Sequence, residues 1–135
     1  MSTIKPSSNL EQNPRVKAVF DDIRAKRKAD YINNLWTHIA FDADLLERTW
    51  KDVKDIMETP STIDPLVKEF IYLGVSIANS CTYCVHSHTT AAKAKGMTME
   101  QHGELLKIVS LAAKMNHLAN GLQFPVDAIY DESKK

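Results

Sequence analysis

The sequence predicts an all-α protein, and three observations carry that expectation. Gly and Pro are scarce, 4 and 5 among 135 residues, so few positions break regular structure. Apolar residues recur at helical spacing, and no β-branched run alternates with period two. Helix-start signatures punctuate the chain. Asn13-Pro14 and Asp64-Pro65 each pair a capping side chain with a residue whose φ is preset for the first helical position. Thr98-Met99-Glu100-Gln101 reads as a capping box.

Residues 1–12 are expected to form a flexible N-terminal arm. The first helix starts at Asn13-Pro14 and presents Val16, Val19, Phe20 and Ile23 on one face. It fades in the cationic run Arg24 to Lys28, expected to be a solvated face. Leu35, Trp36, Ile39 and Ala40 suggest a short second helix. A third runs from about Asp44, with Leu45, Leu46, Trp50, Val53 and Met57 directed inward, and Thr59-Pro60-Ser61 breaks it. The fourth, Asp64 to about Ala78, is apolar almost all round (Leu66, Val67, Phe70, Ile71, Leu73, Val75, Ile77), which predicts burial. A fifth helix begins near Cys81 and ends near Lys95, where Gly96 suits a left-handed C-terminal position. The sixth opens at Thr98 and continues to about Leu118, with Gly121 and Pro125 ending regular structure. Residues 13–125 are expected to be one domain and 126–135 a charged tail.

Formal net charge is zero, from 17 Lys and Arg against 17 Asp and Glu. That argues against a general nucleic-acid binder, which needs an excess of cations to neutralise phosphates. No apolar run approaches the ~20 residues needed to cross a bilayer, and Met1 to Gln12 lacks the apolar core of a secretory signal. The expected setting is cytoplasmic, where a cysteine pair is more often catalytic or metal-binding than a permanent staple.

The chemistry concentrates between Lys68 and His88, where Glu69 is followed by Cys81-Thr82-Tyr83-Cys84 and then His88. Two cysteines with two residues between them, at the start of a helix, are close enough to bridge. The unpaired N–H groups there favour thiolate, the nucleophilic form. Cys84 and His88, at i and i+4, share a helix face, so the imidazole can exchange a proton with the sulfur. Glu69 lies in a helix otherwise almost wholly apolar, where an unpartnered carboxylate is costly. Antiparallel packing of the two helices would set it beside His88, joining base, shuttle and nucleophile in a relay. A structural cysteine pair leaves Glu69 and His88 unexplained, and zinc held by Cys81, Cys84, His88 and Glu69 is the lesser alternative. No bound metal is expected. Tyr83 and Ser76 are candidate pocket residues, His86 a surface or interface residue, and Trp36 and Trp50 core or interface residues.

The pattern Glu69-x11-Cys81-x-x-Cys84-x-x-x-His88 resembles the signature of the alkylhydroperoxidase D-like (AhpD-like) proteins of the carboxymuconolactone decarboxylase superfamily. Asp64-Pro65 ahead of the glutamate, Asn79-Ser80 ahead of the cysteines, and Ala91-Ala92 and Gly96-Met97-Thr98 after the histidine agree with it. The likeness spans roughly Asn33 to Pro125. It implies an AhpD-like helical bundle with the Cys-x-x-Cys at the N-terminus of a central helix. It also implies assembly into homo-oligomers, trimers or hexamers, and thiol-dependent reduction of hydroperoxides. By this carry-over Cys84 attacks the peroxide, Cys81 resolves the sulfenic acid to a disulfide, and Glu69 and His88 relay protons. The implied reductant is an external dithiol or a lipoylated protein, with no cofactor bound to the chain. Helix electrostatics alone favour Cys81 as the attacking thiol; proximity to His88 favours Cys84. Tyr83 stands where the best-studied type of member has a histidine, removing one proton carrier. The alternatives are a carboxymuconolactone decarboxylase-type lyase, whose members generally lack the cysteine pair, and a non-enzymatic redox sensor.

Overall fold

The computed structural model describes residues 2–135, which form six α-helices joined by short turns, with no strand among the described residues. They divide into two compact units, Met1–Thr62 and Ile63–Lys135, each with its own apolar core. No helix among the described residues is long and apolar enough to cross a membrane.

In the first unit, α1 (Pro14–Arg27) is capped by Asn13, whose side chain accepts the Arg15 N–H at 3.0 Å. Val16, Val19, Phe20 and Ile23 are buried, as their spacing predicts. Ahead of α1, Leu10–Gln12 form a 3-10 turn; Leu10 packs against this core and Glu11 pairs with Arg24. The helix ends at Lys28 in the left-handed region, φ 52°. α2 (Asn34–Ile39) buries Trp36, and α3 (Ala43–Val53), capped by Asp42, buries Leu46 and Trp50. The two indoles meet edge to face, centroids 5.5 Å apart, a favoured quadrupole arrangement.

The sequence leaves Arg27 on a solvated face; instead its guanidinium lies 5.8 Å and 5.6 Å from the Trp36 and Trp50 rings, a cation–π contact that covers the indole pair. Leu45, expected inward, is exposed. Leu46 and Trp50, at i and i+4, define the buried stripe, and Leu45 sits one residue, about 100°, off it. Past Val53 the chain widens into a π-helical stretch, Lys54–Glu58, before the Pro60 break.

In the second unit, α4 (Pro65–Ala78) is capped by Asp64 and packs against α5 (Thr82–Ala94) and α6 (Met99–Leu122). Leu73, Ala92, Met97 and Leu105 form the buried centre, flanked by Leu66, Phe70, Ile77 and Val109. α4 and α6 approach at Gly74, where an added Cβ would lie in ordinary contact with Val109 Cγ2, 3.8 Å away. α4 is not buried all round as its composition predicts. Val67, Ile71 and Val75, one turn apart, are exposed on this chain. α6 likewise exposes Ile108, Leu111, Met115, Leu118 and Leu122, and runs through Gly121 to a left-handed Gln123 at φ 49°. Thr98 and Gln101 form the expected capping box, with bonds of 3.1 Å and 2.9 Å.

Two helix ends set the geometry of the site. α4 closes with Ser80 in the left-handed conformation, φ 57°. The Ser80 N–H donates to the Ile77 carbonyl at 3.1 Å and the Cys81 N–H to the Ser76 carbonyl at 2.9 Å, the paired bonds of a Schellman motif. α5 closes in the same way around Gly96, φ 97°, through Gly96 N–H to Lys93 and Met97 N–H to Ala92, both 3.0 Å. A methyl at Gly96 would meet nothing within 4 Å, so its cost is backbone strain alone. Gly96→Ala should therefore lower unfolding free energy by about 1 kcal/mol, measured by urea unfolding. Gly103→Ala, in open space inside α6, should instead leave it equal or raise it.

Candidate active site

The Schellman turn at Ser80 delivers Cys81 directly to the N-cap of α5, and Cys84 follows in its first turn. The Cys81 sulfur accepts the Cys84 backbone N–H at 3.3 Å, taking the place of the hydroxyl or carboxylate that commonly caps a helix. The two cysteines are joined by a disulfide. Thus the short spacing, the turn geometry and the cap put both sulfurs where a helix N-terminus favours the thiolate when the bond is reduced. Among the described residues no three His, Cys, Asp or Glu side chains gather in a metal-binding cluster.

Antiparallel packing of α4 on α5 brings Glu69 beside His88, as the sequence predicts. Glu69 is 3% exposed, and its Oε2 accepts a hydrogen bond from His88 Nδ1 at 2.6 Å. A carboxylate partner puts the hydrogen on Nδ1 and leaves Nε2 as the nitrogen able to take or give a proton. Two further groups complete the arrangement. Lys95 Nζ donates to the other oxygen, Glu69 Oε1, at 2.8 Å. Tyr72, three residues on from Glu69, stacks on the imidazole with centroids 3.6 Å apart and planes inclined by 21°. The imidazole is therefore held at its edge by the carboxylate and over its face by the phenol. Burial pushes the Glu69 carboxyl up, but hydrogen bonds from His88 and Lys95, with their charges, outweigh it and hold the group below its ordinary 4.5.

Lys95 and Tyr72 lie outside the Glu-Cys-Cys-His pattern that marks the site in the sequence. Both follow from helical spacing once Glu69 and His88 are paired: Tyr72 is one turn from Glu69 on α4, and Lys95 is two turns beyond His88 on α5. What composition hides is that Lys95 turns back to the buried carboxylate, while Lys93 carries no such contact to it.

Of the remaining candidates, Ser76 is buried and lines a cleft of about 320 Å³ together with Ile77, Ser80, Cys81, Thr82, Val85 and His86. Cys81 is thus among the residues that line the cleft, and Cys84 is not. Tyr83 is 42% exposed and outside the lining, and His86, expected at a surface, is exposed at its edge.

Comparison with known proteins bears on the family and the fold. The model of the carboxymuconolactone decarboxylase family matches residues 43–127. The solved structure of the alkylhydroperoxidase AhpD core from Rhodospirillum rubrum ATCC 11170 superposes with a TM-score of 0.92. It is 52% identical, and the alignment covers 96% of this chain and 97% of that one. Comparison with the curated proteins gives no match. With its all-helical fold and its Cys-x-x-Cys pair, the chain belongs to the carboxymuconolactone decarboxylase family and is AhpD-like.

Proposed function

We propose that this protein is a thiol-dependent peroxidase, a disulfide oxidoreductase that reduces hydroperoxides through Cys81 and Cys84. The observation that carries the proposal is a cysteine pair capping α5 on the same helix as a histidine hydrogen-bonded to a buried carboxylate. In the reduced protein, His88 Nε2 takes the Cys84 proton. The thiolate attacks one peroxide oxygen; the O–O bond breaks, a sulfenic acid forms on Cys84, and the alcohol leaves with the proton returned by His88. Cys81 then attacks the sulfenic sulfur, water leaves, and the disulfide forms. An external dithiol, of lipoyl type, reduces it by two exchanges and is itself oxidised to a disulfide. The peroxide loses its O–O bond, and the two electrons come from the dithiol. Ser76 lines the cleft beside Cys81, and the reaction runs in the cytoplasm.

The likeness to the solved alkylhydroperoxidase AhpD core supports this reading. A lactone decarboxylase, the reaction in the family's description, has no use for the dithiol. The test is steady-state turnover with tert-butyl hydroperoxide and dihydrolipoamide. Peroxide loss and dihydrolipoamide oxidation should proceed one to one. Thiols that oxidise once and never turn over would leave a sensor in place of an enzyme.

The proposal includes assembly of more than one copy. The apolar stripes of α4 and α6 have no cover on the isolated chain, and contiguous apolar surface of this kind marks an association face. Native mass should exceed that of one 15.2 kDa chain. The double substitution Leu111→Asp, Leu118→Asp should lower it to that of one chain; a native protein already monomeric in solution would end this part of the reading.

A further inference from the structure

We propose that Lys95 is a positioning residue of this site: by balancing the charge of Glu69, it keeps His88 from being captured as an imidazolium and so preserves it as a proton acceptor. The inference rests on the peroxidase reading for its use, though not for its geometry. A buried carboxylate 2.6 Å from a histidine would, alone, favour the charged imidazole as its counter-ion. Here the carboxylate already has one. Lys95 Nζ sits 2.8 Å from Oε1, so Glu69 divides its two oxygens between a lysine and the histidine. A protonated His88 would then be a second cation on a single anion.

The placement of Lys95 is built into the fold. It is the C-cap of α5, its N–H bonded to the Ala91 and Ala92 carbonyls, and Gly96 beyond it takes the left-handed turn that ends the helix. That end is also where a cation meets the favourable end of the helix dipole. The charged groups acting on Glu69 are His88 and Lys95, both from α5; on α4, Tyr72 stacks over His88, and α6 meets α4 through Val109 at Gly74. Lys95 thus balances the carboxylate from a place two turns beyond the histidine and on the same helix face.

The test compares native protein with Lys95→Met and Lys95→Arg by following the His88 ring signals in NMR spectra against pH, alongside the pH profile of hydroperoxide reduction. In Lys95→Met the His88 signals should switch at a pH higher by about one unit. The acid limb of kcat/KM should move up by the same amount, with its plateau at alkaline pH retained. Lys95→Arg should restore both. A Lys95→Met protein whose His88 switches at the native pH overturns the proposal, as does one whose loss of activity is uniform across pH. The NMR titration needs no peroxide turnover, so it decides the role of Lys95 even if the peroxidase reading fails. A Lys95→Met chain too unstable to titrate passes the question to Lys95→Gln, judged by the same two outcomes.

Discussion

Cys84→Ser is expected to abolish hydroperoxide consumption, reducing it to the uncatalysed background. The substitution removes the thiolate one turn from His88 and leaves a hydroxyl whose ionisation lies far outside the reach of an imidazole. The fold should survive, because the capping bond at the start of α5 is made to the Cys81 sulfur, not to that of Cys84. Cys81→Ser should behave differently. It should consume one equivalent of peroxide and stop at a sulfenic acid on Cys84, which dimedone traps and mass spectrometry locates. A sulfenic acid found on Cys81 of the Cys84→Ser protein, with undiminished peroxide consumption, would reverse the two roles. The structure keeps that comparison pointed. Cys81 has the helix-end hydrogen bond and lines the open cleft, whereas Cys84 shares its helix face with His88.

Glu69→Gln should slow peroxide reduction on the order of 10²-fold, with little change in KM. The amide preserves shape but carries no charge. It can offer His88 Nδ1 the wrong group, and it leaves Lys95 without its anion. The same change has a stability signature. Ionised Glu69 is held below its ordinary 4.5 in the fold, so its stabilisation is present above that pH and is lost as pH falls through the folded-state value. Native protein should therefore lose thermal stability on acidification below pH 4.5, and Glu69→Gln should flatten part of that decline. Exposed carboxylates paired on the surface, such as Glu47 with Arg15, contribute to the same decline but are screened by salt. The Glu69 component, 3% exposed, should persist at high ionic strength. Identical acid limbs for the two proteins at high salt would show that the carboxylate is not held ionised.

Much of this molecule was legible in its sequence because the signals were local. Asn13-Pro14, Asp64-Pro65 and Thr98 to Gln101 start helices where their chemistry says they should, and Gly96 ends one. The Glu69–His88 contact was legible too, since one antiparallel pairing of adjacent helices suffices to make it. Non-local terms were harder. Arg27 carries the same charge as Lys26 and Lys28, and its partners, the indoles of two other helices with Asn33 and Glu58, are what distinguish it. Ser80 adopts a left-handed turn more commonly given to glycine, so the motif that aims Cys81 has no glycine to announce it. Val67, Ile71 and Val75 are as apolar as a buried stripe, and apolar composition does not say whether the covering surface belongs to the same chain. Lys95 was hidden for a related reason: a lysine near a helix end ordinarily faces water, and nothing local turns it toward a buried carboxylate.

The most direct measurement is a stoichiometric titration of the fully reduced protein with tert-butyl hydroperoxide, followed by intact mass and by mapping of the Cys81–Cys84 peptide. The expected result is one disulfide per peroxide consumed, a loss of two hydrogens confined to that peptide, at a rate far above that of free dithiothreitol. Thiols that survive excess peroxide, or that oxidise no faster than the free dithiol, would contradict the assignment of Cys81 and Cys84 as a peroxide-reducing pair.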